Sequence, residues 1–204
     1  LVYSIIAIVA SYLIGSISFS LLFAKWLRGI DIRQHGSGNA GATNTLRVLG
    51  KGPAICVLLL DAVKGIIAVL LGWWLADNAW VMVGCGIAAI AGHNWPVYFR
   101  FRGGKGIATT IGVLAMLAFW PAFTAGVLAI ASIVWKRYVS LGSLIFTLLT
   151  PVFILIFRYE WPIFWGSLLI CAFAFYRHRS NIMKLWRGTE NRLGSKKGEV
   201  PRVR

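Results

Sequence analysis

Residues 35–47 read HGSGNAGATNTLR and set His35, Ser37, Asn39, Thr43, Asn44, Thr45 and Arg47 among Gly36, Gly38 and Gly41, with no acid. Glycines let successive backbone N–H groups converge on one point, and such a concave nest binds an anion. Arg47 adds a planar fork of donors suited to a phosphate. The same letters also suit a polar turn between two helices, so the choice rests on what accompanies them.

Residues 92–110 read GHNWPVYFRFRGGKGIATT. Gly103, Gly104, Lys105 and Gly106 stand ahead of an expected helix that opens with Ile107, Ala108, Thr109 and Thr110. Glycines before a helix N-terminus leave free N–H groups at the positive end of the dipole, which suits phosphate. Arg100, Arg102 and Lys105 add charge, while Trp95, Tyr98 and Phe99 fit a headgroup-level anchor, so the loop can anchor and bind at once. A third stretch, RHRSN, runs from Arg177 to Asn181, and Glu190 beyond it reads as ordering the basic cluster. Ser140 and Ser143 beside Lys136 and Arg137 repeat this chemistry more weakly.

His35, His93 and His178 fall one to each of the three main polar stretches. Imidazoles with almost no acids nearby favour a shared anionic site over a metal, since neither an i,i+4 His pair nor neighbouring carboxylates complete a ligand set. Two formal motifs fail their context. Residues 36–41 match GxGxxG but lie in no βαβ unit, and GGKG lacks the spacing of a Walker loop. No GxSxG nucleophile elbow is present.

The elements that must hold these loops are membrane helices. Of the 204 residues 58% are hydrophobic and 13% charged, with ten Trp and a mean hydropathy of +0.75. A soluble domain carries about 25% charge. The expected fold is all-α, integral to the membrane, with seven transmembrane helices over 1–23, 53–75, 78–92, 107–119, 122–135, 139–157 and 161–176. The first run has no basic n-region or small-residue cleavage site and reads as a retained span. Gly15, Ser16, Ser18 and Ser20 suggest a close-packing face on it, and Pro151 a kink in the sixth span. Merging the fourth and fifth spans, parted at Trp120 and Pro121, is the main alternative count. Cys56, Cys85 and Cys171 sit in apolar runs and read as small buried residues.

Of the 21 Lys and Arg, all but Lys64 and Arg158 fall within 25–51, 100–105, 136–137 or the tail from 177. This asymmetry places the N-terminus outside and the C-terminus and polar loops in the cytoplasm, and it supports an odd number of spans. It also explains the net charge of +15 without nucleic acid. Asp61 and Lys64 lie three apart on one face of the second span, where a pair that supports the fold competes with substrate contact or a transport relay. The segment from Arg177 predicts an amphipathic interfacial helix with Ile182, Leu185 and Trp186 toward lipid, and 195–204 a disordered basic tail. The whole of 1–204 reads as a single membrane-embedded domain.

These residues resemble the bacterial inner-membrane acyl-phosphate:glycerol-3-phosphate acyltransferases over nearly the whole chain. The resemblance rests on GSGNAGATN with Arg47, on GHNWPVYFRFRGGKGIAT, and on RHRSNI followed by Gly188 and Glu190. It implies transfer of a fatty acyl group from acyl phosphate to the 1-position of glycerol 3-phosphate, giving lysophosphatidic acid and inorganic phosphate for phospholipid synthesis. It implies catalytic roles for Ser37, Arg47, His178, Asn181 and Lys105. It implies glycerol 3-phosphate binding by Gly103, Gly104 and Gly106 with Lys105, and structural support from Glu190. The residues themselves add Gly38, Asn39, Thr43, Asn44, His93, Arg102, Ser140 and Ser143 as expected substrate-binding positions, and Asp61 and Lys64 as expected structural support. No cofactor and no metal is expected, and the enzyme is expected to act as a monomer in the bilayer.

The bottom-up chemistry agrees, because both substrates carry phosphate and the polar stretches are rich in donors and nearly free of acids. An acyl phosphate has a good leaving group, so cations that neutralise the departing phosphate suffice. His178, His93, His35 or the phosphate of glycerol 3-phosphate itself are the candidate bases. Ser37 either binds the acyl phosphate during direct transfer, the preferred case, or forms an acyl intermediate. The runner-up is a transporter of phosphate or an organic phosphate, for which no paired repeat is visible.

Overall fold

The computed structural model describes residues 1–194, which are helical with connecting turns and contain no strand. The expected basic tail at 195–204 lies outside the described residues. The helices are α1 (Val2–Gly15), α2 (Phe19–Arg28), α3 (Ala42–Leu49), α4 (Lys51–Ala76), α5 (Ala79–Asn94), α6 (Ile107–Leu117), α7 (Phe119–Lys136), α8 (Val139–Ile156), α9 (Trp161–Arg177) and α10 (Arg179–Trp186).

Each of the seven apolar segments carries helix, but their lengths differ. Residues 2–28 together, α4, α7 and α8 are long and apolar enough to cross a bilayer, and α6 and α9 are apolar but shorter. At 1.5 Å per residue α6 rises only about 16 Å, half of a hydrocarbon core about 30 Å thick.

Two boundaries differ from expectation. The first segment is not one helix through residue 23: it breaks at Ser16–Ser18 and resumes as α2. Ser16 Oγ donates back to the Tyr12 carbonyl at 2.9 Å, and Ser18 is extended at φ −98°, the local competition by which serine interrupts a helical ladder. The fourth and fifth segments part at Ala118 (φ −154°) instead of at Trp120 and Pro121. Pro121 thus lies in the first turn of α7, where a missing N–H leaves no bond unmade. Helix α8 runs through Pro151.

Small residues let the helices close. A Cβ at Gly15 would overlap the Ala89 backbone, and one at Gly92 the Tyr12 carbonyl, so α1 and α5 meet backbone to backbone. Gly65 and Gly112 do the same for α4 and α6, as expected where packing substitutes for the hydrophobic effect. The main core joins Val69, Val83, Ile90, Val113, Leu114 and Ile170 across α4, α5, α6 and α9. A smaller cluster of Leu21 and Ala24 with Ile32, Ala40 and Val48 seats the first polar loop on α2. Exposed Trp73, Trp74, Trp80, Trp120, Trp161 and Trp165 gather at the helix ends remote from the polar loops, as in an interfacial belt.

Candidate active site

Asp31 caps a short 3-10 turn (Ile32–Gln34) by accepting from the Arg33 N–H at 2.9 Å, and the Arg33 guanidinium returns to the same carboxylate at 2.7–3.1 Å. Arg33 Nη1 also donates to the carbonyls of Phe99 and Arg102 at 3.1 and 3.2 Å, strapping the first loop to the second. Asn44, in the first turn of α3, then shapes the loop. Its Oδ1 accepts from the Ser37 N–H at 2.7 Å, and its Nδ2 donates to the carbonyls of Ile32 and His35 at 3.1 and 3.0 Å. Gly36 is left-handed (φ +62°), and a Cβ there would run into Asn44 Oδ1, so this turn accepts only glycine. Ser37 is left exposed at the mouth.

The second loop is braced from α9. Arg177 donates to the Gly104 carbonyl through Nε (3.0 Å) and Nη2 (2.6 Å) and to Gly103 through Nη2 (3.1 Å), while lying 5.4 Å over the Trp95 ring. Gly104 fits because a Cβ would collide with His93 Nε2 and the Ala40 carbonyl. The first bond of α6 is Thr110 N–H to the Gly106 carbonyl at 2.7 Å, so the amides of Ile107 to Thr109 have no partner within the helix.

A relay connects the second loop to the third. Lys105 Nζ donates to Asn181 Oδ1, Asn181 Nδ2 to Glu190 Oε1 at 2.8 Å, and Ser140 Oγ to the same oxygen at 3.1 Å. Arg137 holds the segment carrying Glu190, donating to the Leu193 carbonyl at 2.7 Å through Nη2. Burial, with the nearby cations Lys184, Arg177 and Arg47, brings the Lys105 ammonium down to about 8 against the opposing pull of Glu190. Arg47 is half-buried, and its guanidinium has no hydrogen-bonding partner among the described residues. Burial lowers its pKa, opposed by Glu190.

The two buried histidines present opposite faces. His178 Nδ1 lies 2.8 Å from the Ala174 carbonyl, which can only accept, so the proton sits on Nδ1 and Nε2 keeps a lone pair. Burial, then Lys105 and Arg177, push its pKa down to about 4, and it is neutral near pH 7. His93 is set from below. Lys64 Nζ lies 2.7 Å from Asp61 Oδ1, donates to the Ile17 carbonyl at 2.7 Å and meets His93 Nδ1 at 3.0 Å. An ammonium can only donate, so His93 Nδ1, which also lies 3.5 Å from Asp61 Oδ1, is the acceptor and the ring proton is on Nε2.

These groups surround a cavity of about 700 Å³. Ser37, Gly38, Asn39, Thr43, Asn44, Arg47, Asp61, His93, Gly103, Lys105, Gly106, Ser140, Ser143, His178, Asn181 and Glu190 all line it. Arg102, Gly104 and Lys64 do not. Arg102 is exposed outside it and contributes a carbonyl to Arg33, Gly104 packs behind His93, and Lys64 acts through its neighbours. Asn44 reaches the wall, but its amide is already used in shaping the loop. His35 lies away from the wall, with its carbonyl held by Asn44. In α10 Trp186 is 83% exposed as expected, while Ile182 and Leu185 are half-buried.

Sequence reasoning missed Arg177, Ser180, Lys184 and Asn191, which also line the cavity. An acyl chain is expected among the spans, but the sequence singles out none of the apolar wall residues Leu58, Ile111, Phe123, Gly126, Ile130 and Ile133 of α4, α6 and α7. The cavity therefore joins a polar chamber to a hydrocarbon corridor. Residues at the N-termini of α3, α6 and α10 all contribute to the chamber, so free amides and positive dipole ends converge there with Arg47, Lys105, Arg177 and Lys184.

Helices of membrane length thus frame a cavity that is rich in cations at one end and apolar at the other. A family model described as Glycerol-3-phosphate acyltransferase matches residues 5–188. The chain is 56% identical over 196 residues to the Glycerol-3-phosphate acyltransferase of Halalkalibacterium halodurans, covering 93% of this chain and 95% of that one. It is 54% identical over 203 residues to the protein of that name from Shouchella clausii, covering 96% and 99%. Among solved structures it matches the crystal structure of PlsY (YgiH), an integral membrane glycerol 3-phosphate acyltransferase in its glycerol 3-phosphate form. The TM-score is 0.89 at 38% identity, covering 94% of this chain and 96% of that one. The lysophosphatidic acid form of PlsY matches with a TM-score of 0.87. The chain belongs to the glycerol-3-phosphate acyltransferase family and is an integral membrane acyltransferase.

Proposed function

We propose that this acyltransferase takes its fatty acyl group from acyl phosphate and places it on the 1-hydroxyl of glycerol 3-phosphate, giving lysophosphatidic acid and inorganic phosphate. The observation that carries this reading is the junction of the chamber and the corridor. Helix N-termini and four cations converge where an apolar passage begins, so two phosphates and one hydrocarbon tail can meet there. Ser37 and the first-loop amides hold the acyl phosphate, and Arg47 neutralises the departing phosphate. Lys105, the amides of α6 and His93 Nε2–H hold glycerol 3-phosphate, with Asn181 and Glu190 orienting Lys105.

Among the described residues the Ser37 hydroxyl has no hydrogen bond to a histidine or carboxylate that would activate it, which favours direct transfer. His93, with its proton on Nε2 and Nδ1 engaged by Lys64, is no base. Two acceptors remain, His178 Nε2 and the phosphate of bound glycerol 3-phosphate. A phosphate dianion, with a pKa of about 6, is the stronger base beside an imidazole at about 4. Cations and amides meet the electrostatic demand, and no cofactor enters the scheme.

In the same proposal residues 1–204 form one acyltransferase domain, acting as a monomer in the bacterial inner membrane. The seven apolar segments lie in it, α6 as a helix shorter than the bilayer core, with the N-terminus outside, and the chamber faces the cytoplasm with most of the Lys and Arg. Transport is the weaker account, because Lys64 is already engaged within the fold by Asp61, the Ile17 carbonyl and His93. Purified enzyme given labelled glycerol 3-phosphate and acyl phosphate should form lysophosphatidic acid and inorganic phosphate in equal amounts. Phosphate release without lysophosphatidic acid would refute the proposal.

Lys105 gives a pH dependence. With its ammonium at about 8, the charged form needed to bind phosphate is lost as pH rises through that value. The expected kcat/KM falls about tenfold per unit on the alkaline side. Lys105→Arg stays charged and should move this limb upward by at least one unit, and an unmoved limb would assign it to another group.

A further inference from the structure

We propose that Gly126 sets the acyl chain length the enzyme accepts, by keeping the middle of the corridor open along α7. The inference rests on the acyl-donor reading above. Glycine weakens a helix interior relative to alanine, so a membrane-helix glycine calls for a reason. At Gly65, Gly72, Gly112, Gly142 and Gly166 the reason is packing, since a Cβ would run into a neighbouring helix or side chain. Gly126 is different: a Cβ there would meet nothing within 4 Å, and the residue lines the cavity. The space it preserves is the corridor itself.

Phe119, Phe123, Gly126, Ile130 and Ile133 form one stripe of α7 that lines this passage, a groove open along its side where Phe119, Phe123 and Ile130 are more than half exposed, at the three- and four-residue spacing of a single helix face. From Ile133, near Gly142 at the chamber, to Phe119, beside the Ala118 junction with α6, the helix rises about 21 Å. That exceeds the hydrocarbon depth of one leaflet, about 15 Å, so a membrane-length acyl chain fits along it. Gly126 lies midway. A short acyl chain ends before that point, whereas a long one must pass it.

The test is acyl transfer to glycerol 3-phosphate by full-length Gly126→Leu in lipid, with octanoyl phosphate and hexadecanoyl phosphate compared side by side with the unsubstituted enzyme. The expected result is a fall of at least tenfold in the hexadecanoyl-to-octanoyl rate ratio, and a smaller fall for Gly126→Val. An unchanged ratio, whether both rates persist or both fall alike, overturns the proposal. Should Gly126→Leu fail to fold, the ratio for Gly126→Val decides by the same criterion. Failure of the unsubstituted enzyme with both acyl phosphates is a different result and refutes the donor reading itself.

Discussion

Arg47→Ala is expected to lower the rate of acyl transfer by roughly a hundred- to a thousandfold, the loss typical of removing one donor aimed at developing negative charge. Arg47 faces the cavity from α3, half-buried and with no hydrogen-bonding partner among the described residues. Its removal breaks no bond that holds the fold, so the thermal midpoint should stay close to that of the unsubstituted enzyme. Arg47→Lys should recover only part of the rate, because a single ammonium cannot reproduce a two-pronged contact with phosphate. Ser37→Ala, at the mouth of the same loop, should also abolish most transfer in a folded protein. Near-normal activity in Arg47→Ala and Ser37→Ala together would remove the first loop from the chemistry.

The largest effect on stability is expected at Lys64. Lys64→Met strands Asp61, only 1% exposed, without its cation, and also deprives the Ile17 carbonyl and His93 Nδ1 of their donor. Breaking a buried pair from one side destabilises by about 3–5 kcal/mol, and the thermal midpoint should drop by roughly ten degrees. A double variant, Asp61→Leu with Lys64→Met, removes the stranded charge and should regain much of that stability. It should not regain the rate, because nothing then fixes the proton of His93 on Nε2. Recovery of stability and full rate together would show that the trio serves the fold alone.

The polar loops were legible because their chemistry demands rare letters. A nest for an anion needs glycines and donors without acids, and such stretches stand out in a chain that is 58% hydrophobic. The apolar segments were legible for the converse reason. What the letters could not show was which atoms each side chain would use. Asn44 looked like a ligand residue, yet all three of its bonds shape the loop. Arg177 looked like one more charge in RHRSN, yet it braces Gly103 and Gly104 from another helix. Lys64 reaches the Ile17 carbonyl only because the first helix opens at Ser16–Ser18, and no spacing rule relates positions so far apart in sequence. The corridor was hidden for the same reason: Gly126 reads like any packing glycine until its surroundings prove empty.

The most direct test supplies purified enzyme in lipid with labelled glycerol 3-phosphate and, in separate reactions, acyl phosphate, acyl-CoA or acyl carrier protein, each with and without a chelator. Lysophosphatidic acid formed from acyl phosphate alone, at the same rate in chelator, is the predicted result. Product from acyl-CoA or acyl carrier protein instead, or loss of product in chelator, would contradict the account of a phosphate leaving group held by cations and backbone amides.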